Sequence, residues 1–321
     1  MSSGARQALC RYQREPRVIL SVVIITHNEE ANIGRTLASV QPLVADGKGE
    51  IIVVDSGSTD RTVEIAKSLG AKVFVEEWKG YAAQKNSAIE KAVGEWILSL
   101  DADEELEPSL AAQISRLFPQ SRDEALAHAR DESPTTEESL GEAIKFAKDK
   151  GMPSKAASAR FIIAVNGYRI SRKNEFLGRW IKHGGFWPDP KLRLFRRGMA
   201  RFEDRAVHED ARLTEGVALH LKSALVHHSY PTLSDYIDHM NRYSSLGAEM
   251  AFANGHRGFS LFNIVIRPAA TFVYNYIFRL GFLDGREGLL LHLYHAVYVS
   301  WKYAKAWEPG SKTEQPGLKP L

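Results

Sequence analysis

Cysteine is nearly absent from this 321-residue chain: the one present is Cys10, in a polar N-terminal stretch. With no partner inside the chain it excludes an intrachain disulfide framework and fits a reducing compartment. Nothing around it would activate a thiolate as a nucleophile. Long apolar runs are also missing. The first seventeen residues carry arginines but no apolar signal-peptide core. Val18–Ile25 is apolar but short and runs into His27-Asn28-Glu29-Glu30, so it reads as a buried strand. Arg267, Arg279 and Arg286 interrupt the later apolar stretches, and none reaches the roughly 18 uncharged residues of a spanning helix. The expectation is a chain kept in the cytoplasm. A net charge of +3 gives no case for nucleic acid as a partner. Finally, Thr26-His27-Asn28-Glu29 follows the first apolar run without a glycine, and no P-loop exists anywhere, so neither glycine-rich phosphate cradle is available.

Four short apolar runs fill the first hundred residues: Val18–Ile25, Ile51–Val54, Lys72–Val75 and Trp96–Leu100. Each is β-branched or aromatic and too short for an independent helix. Helical patterns lie between them: Ala31–Val40, a segment N-capped by Ser58 and closed by Gly70, and Tyr81–Val93 closed by Gly94. This alternation predicts an α/β fold with a mostly parallel sheet covered on both faces, whose ligands bind at the strands' carboxyl ends. Residues 1–17 read as a polar tail, 18–230 as one α/β domain and 118–158 as a charge-mixed insertion in it. Strands resume at Phe161–Val165, Tyr168–Ser171 and Lys191–Phe195. Residues 231–307 read as a helical region rich in aromatics, and 308–321 as a tail.

Polar residues gather at the strand ends. Asn28 and Glu29 offer an amide and a carboxylate to a base or ribose, and Asp55 a carboxylate for ribose hydroxyls; Ser58 and Asp60 suit helix capping. The fourth strand delivers Asp101-Ala102-Asp103-Glu104-Glu105. Residues two apart on an extended chain point the same way, so Asp101 and Asp103 present two carboxylates together. Hard cations such as Mg²⁺ or Mn²⁺ take one or two carboxylates plus substrate phosphates. Glu104 and Glu105 are expected to begin the next helix.

Ile24–Glu30, Val53–Asp60, Gly80–Asn86 and Leu100–Asp103 together resemble the successive motifs of family 2 glycosyltransferases with the Rossmann-like GT-A fold. His183–Asp189, Leu192–Arg197 and Val207-His208-Glu209 extend the resemblance to the subgroup of lipopolysaccharide core β-glucosyltransferases. It covers about 18–117 and 160–307 and leaves 118–158 without a counterpart. The resemblance implies a UDP-sugar donor whose nucleoside is held by Thr26, Asn28, Glu29 and Asp55, with Lys85 near the diphosphate or the adjoining ribose. Asp101 would face ribose and metal, and Asp103 would hold a Mg²⁺ or Mn²⁺ ion. Inversion by in-line displacement needs a base, for which Glu209 is the first candidate; His208 is either an alternative base or a third metal ligand. Trp187, Asp189 and Arg193 are acceptor candidates, with Trp180 and Phe186 as a possible sugar platform. The implied acceptor is a glycolipid or oligosaccharide such as lipopolysaccharide core; a capsular, exopolysaccharide or polyprenyl-linked acceptor is the alternative. A nucleotidyltransferase would need a basic glycine-rich loop after strand one, and a silent nucleotide-sugar-binding protein would not need intact Asp101, Asp103 and Glu209. Apolar helices edged by arginine, lysine and tryptophan across 259–305 suggest contact with a membrane surface, placing the protein peripherally on the inner face of the cytoplasmic membrane.

Overall fold

The computed structural model describes residues 18–118, 165–203, 210–256 and 258–308. The N-terminal tail with Cys10, the insertion beyond Phe118, the strand expected over Phe161–Val165 except its last residue, His208, Glu209 and the tail after Glu308 lie outside these residues.

The first half is the expected α/β alternation. Strands β1 (Leu20–Thr26), β2 (Gly49–Asp55), β3 (Lys72–Val75) and β4 (Trp96–Asp101) alternate with helices α1 (Ile33–Val44), α2 (Thr62–Ser68) and α3 (Tyr81–Glu90). The strands are parallel, in the order β3-β2-β1-β4. Because side chains alternate across a strand, β1 feeds two cores. Val22 and Ile24 pack with Ile33, Leu37 and Val40 of α1, whereas Val23 and Ile25 pack on the opposite face with Ala82 and Ala88 of α3. Each buried Val, Ile or Leu among them contributes about 1.5–3 kcal/mol, so the two-sided core fixes the register that lines up the strand ends. Thr26 lies opposite Asp55, and Ile25 opposite Asp101.

After β5 (Glu104–Leu106) and α4 (Pro108–Leu117), the chain adds β6 (Val165–Phe176), β7 (Arg179–Trp180), β8 (Pro190–Arg196), β9 (Ala200–Phe202), β10 (Ala211–Leu213) and β11 (Val217–Tyr230). Among the described residues these complete a nine-stranded sheet, with β9 and β10 pairing separately. Strand β8 runs antiparallel between β4 and β6, so the second half of the sheet is mixed and the whole is the α/β arrangement expected.

Two local expectations are corrected. Ser58 does not cap a helix: α2 starts at Thr62, whose N–H donates to Asp60 Oδ1 at 3.0 Å. Glu104 and Glu105 do not begin a helix but form β5, pairing with β11, and Pro108 starts the helix instead.

Beyond Tyr230-Pro231 come α5 (Leu233–Ala253), π-helical turns at Phe262–Ile266 and Tyr274–Phe278 flanking α6 (Arg267–Val273), and α7 (Gly285–Trp307). Helix α5 begins in a capping box: Thr232 accepts from Asp235 N–H, and the Asp235 carboxylate accepts from Thr232 N–H. Phe176 and Ile181 pack with Tyr236 and Leu291, tying α5 and α7 to the sheet. Among the described residues no helix is long and apolar enough to cross a membrane.

Candidate active site

A cavity of about 640 Å³ opens at the carboxyl ends of β1 and β4 and reaches α5 and α7. Thr26, Glu29, Lys85, Asp101, Asp103, Asp189 and Arg193, all named from sequence, line it. One end is marked by buried polar atoms without partners: Thr26 Oγ1 and His27 Nδ1, both in lining residues, and Ser56 Oγ at the end of β2. Buried hydroxyls are ordinarily hydrogen-bonded, so these are atoms a nucleoside can satisfy.

The carboxylates have distinct surroundings. Asp101 receives Lys85 Nζ at 2.8 Å and Arg193 Nη2 at 2.5 Å. Burial raises its pKa, but Arg193 and Lys85 outweigh that and hold it well below the usual carboxylate range. Arg193 also reaches Glu104 Oε1 at 2.5 Å, and Glu104 is fully buried. Burial opposes the Arg193 charge, yet Asp101 and Glu104 raise its pKa further. One guanidinium nitrogen is thus shared by two carboxylates and holds Asp101, while the buried Nε of this cavity-lining residue has no partner.

Asp103 faces a different group, His227, with Nε2 and Oδ2 3.3 Å apart. The pairing follows from the sheet: His227 on β11 lies opposite Glu104 of β5 and Asn174 of β6, and His228 N–H donates to the Asp103 carbonyl. His227 Nδ1 lies 2.7 Å from Asn174 Oδ1, which orients the ring. Burial raises the Asp103 pKa, but His227 brings the net shift down. Sequence reasoning missed His227 because Val226-His227-His228 sits in a long strand far from Asp103; only β-pairing joins them.

The Asp103 carboxylate fits a hard divalent cation whose shell phosphate oxygens and water complete, and the His227 imidazole adds a nitrogen ligand that favours a transition ion over Mg²⁺. Among the described residues no cluster of three such side chains is assembled. Two protein ligands plus a diphosphate is the arrangement these residues can offer.

Glu29 lines the same end, and burial, with Asp103, Asp60 and Asp101 adding, raises its pKa to about 7 against the hydrogen bond from Asn32. Asn28 and Asp55 are not in the cavity wall. Asn28 adopts φ 55°, and its side chain accepts from Thr59 N–H at 2.8 Å. Asp55 Oδ2 accepts from Gly57 N–H and Ser58 N–H. Both residues brace the two loops that follow β1 and β2. Asp189 receives Arg172 through Nη2 at 2.5 Å and Nε at 2.9 Å. Trp187 packs edge-on to Trp180, with ring centroids 5.2 Å apart, and lies outside the wall, whereas Phe186 lines it. Asp210 and Ala211, which follow Glu209 in the chain, are in the wall.

The sequence profile of glycosyl transferase family 2 matches residues 21–200, more than half of the chain. An uncharacterised glycosyltransferase of Rickettsia typhi is 50% identical over 99 residues, 31% of this chain and 32% of that protein. The chain therefore spans about a third of the length of such relatives. The lipopolysaccharide core biosynthesis glycosyltransferase LpsC of Rhizobium meliloti is 27% identical over 94% of this chain and 97% of its own. Glucosyl-3-phosphoglycerate synthase from Mycobacterium tuberculosis, solved with Mn²⁺, UDP and glucosyl-3-phosphoglycerate, is 30% identical over 31% of this chain and 38% of its own; the TM-score of 0.27 limits that likeness to a local one. With its profile match running from β1 through the whole of β8, the chain belongs to glycosyl transferase family 2.

Proposed function

We propose that the protein transfers a hexose, glucose first among candidates, from a UDP-sugar to a lipid-linked oligosaccharide such as lipopolysaccharide core, with inversion at the anomeric carbon. The observation that carries this reading is Asp103 beside His227, in one cavity with the unpartnered Thr26 hydroxyl. Similarity to LpsC along nearly the whole chain supports the acceptor class.

Thr26 would meet the nucleoside, and Asp103 with His227 would hold the cation. A divalent ion held by these two residues would supply positive charge to offset that developing on a departing nucleoside diphosphate. Lys85, buried against Asp101, keeps that carboxylate ionised and adds a cation toward the diphosphate. Glu209 is the proposed base, because the next two residues form part of the cavity wall; His208 is the alternative base. Transfer to a capsular or polyprenyl-linked acceptor uses the same machinery.

Exposed Phe259, Leu261, Phe262, Ile266, Tyr274, Ile277 and Phe278, with Arg267 and Arg279 among them, form the surface proposed to meet a membrane. The activity is tested by incubating the full chain with UDP-glucose, UDP-galactose and other nucleotide sugars plus Mn²⁺ and following UDP release. Metal-dependent release from a UDP-hexose is expected. Parallel assays of Glu209→Ala and His208→Ala sort the base, and loss of transfer in the histidine variant alone would move the role to His208.

A further inference from the structure

The cavity continues past Asp103 and His227 beneath α5 and α7, where its walls change character. Helix α5 contributes Tyr236, His239, Met240 and Tyr243, and α7 contributes Leu291, His295 and Tyr298. Neither helix brings a carboxylate, lysine or arginine to the wall, in contrast to the carboxylate end with Lys85, Arg172 and Lys191. Burial, reinforced by Arg242, pushes His239 down to about 4, and burial also lowers His295. Both imidazoles are neutral near pH 7, each offering one donor and one acceptor.

Two further observations define what fits. Tyr236 is 2% exposed, borders the cavity, and its hydroxyl has no hydrogen-bond partner. Beside it, His239 stacks on Tyr243 with centroids 4.2 Å apart and planes 16° apart, and Tyr230 stands edge-on to Tyr236 and His239. No cation of these helices stands in the wall to pair with an anionic group, and Arg242 of α5, near enough to act on His239, lies outside that wall. A plain hydrocarbon chain would leave the Tyr236 hydroxyl unsatisfied. A sugar ring carries both features required, hydroxyls for the tyrosines and imidazoles and C–H faces for the rings.

We infer that the helical half of the cavity is a subsite for an uncharged pyranose of the acceptor. This rests on the glycosyltransferase reading above and sharpens it: the ring next to the reacting hydroxyl is a neutral sugar, not a phosphorylated or acidic one. The subsite walls on α5 and α7 lie beyond residue 200, outside the part of the chain matched by the family profile.

Saturation-transfer NMR on the full chain with UDP and Mn²⁺ tests it, using methyl glucoside, galactoside and mannoside against glucose 6-phosphate and glucuronic acid. At least one neutral glycoside should bind, and the acids should bind several-fold more weakly. Tyr236→Phe should weaken glycoside binding about threefold to tenfold, the worth of one neutral hydrogen bond. The same variant, without ligand, should keep or raise its thermal midpoint, because the deleted hydroxyl was buried without a partner. Acids binding as well as neutral glycosides would overturn the inference, as would wild-type affinity in Tyr236→Phe, or stability falling together with affinity. A UDP titration of the same sample separates the two levels. UDP bound without any glycoside signal refutes the subsite alone, whereas failure to bind UDP refutes the donor reading beneath it.

Discussion

At the scale of single residues, the two aspartates two positions apart have separate tasks because different neighbours claim them. Asp101 is held between Lys85 and Arg193, and Asp103 faces His227. Arg193 links Asp101 to Glu104 inside the sheet at 4% exposure. Removing it leaves two carboxylates in a low-dielectric site without their main cation, which costs about 3–5 kcal/mol. Arg193→Met, of similar length and without charge, should therefore lower unfolding stability in urea by about that amount. A loss below about 1 kcal/mol would show that Arg193 is not the clamp on these groups. Asp101, Asp103 and Lys85 were legible in the sequence because strand ends and motif order announce them. His227 was not, since nothing local in Val226-His227-His228 says which carboxylate the strand will meet.

At the scale of elements, one buried histidine adds to the contacts that join the helical region to the rest of the fold. His292 of α7 is 1% exposed, and both ring nitrogens lack partners. It fills a slot between Gly184, at φ 67°, and Gly281; a Cβ at either glycine would come within 2.3 Å of the ring. Burial, with His295 nearby, lowers its pKa from 6.5 to about 4. The folded pKa lies below the unfolded one, so the unfolded chain binds more protons between those values. Stability contributed by the neutral ring is complete above about pH 6.5 and is lost as pH falls toward about 4, on the order of 3 kcal/mol. Denaturant titrations from pH 7.5 to 4 should show this acid limb, and His292→Leu should make it shallower while the share of His239 and His295 remains. An unchanged limb in the variant would assign it to other groups. The sequence disclosed α1, α3 and the first four strands through their periodicity. It did not disclose β5, because Glu104-Glu105 reads as a helix start until β11 is known to pair with it.

At the scale of the whole molecule, α7 separates two environments. Leu291, His295 and Tyr298 line the cavity, whereas Leu289 and Leu293, on the other side of the helix, are 41% and 45% exposed. The exposed face is continuous in sequence with Phe278, Phe282 and Leu283. An amphipathic layer of this kind, edged by Arg267, Arg279 and Arg286, suits an anionic lipid surface. Flotation with phosphatidylglycerol-containing vesicles should carry the full chain upward, and Phe262→Glu with Phe278→Glu should leave it at the bottom. Wild-type protein remaining at the bottom would refute the membrane surface. Family and the parallel first half of the sheet were legible in the sequence, whereas the strand order, the mixed second half and the aromatic subsite were not, because they exist only through long-range pairing and where α5 and α7 close over β6 and β11. The central claim rests on Asp103 and His227 serving a UDP-sugar together. The most direct measurement is UDP release from the preferred UDP-hexose, with Mn²⁺ or with chelator, by the wild type, Asp103→Ala and His227→Ala. The expected result is release that requires the metal and falls by at least about tenfold to a hundredfold in each variant. Equal release with chelator, or unchanged release in Asp103→Ala, would contradict it.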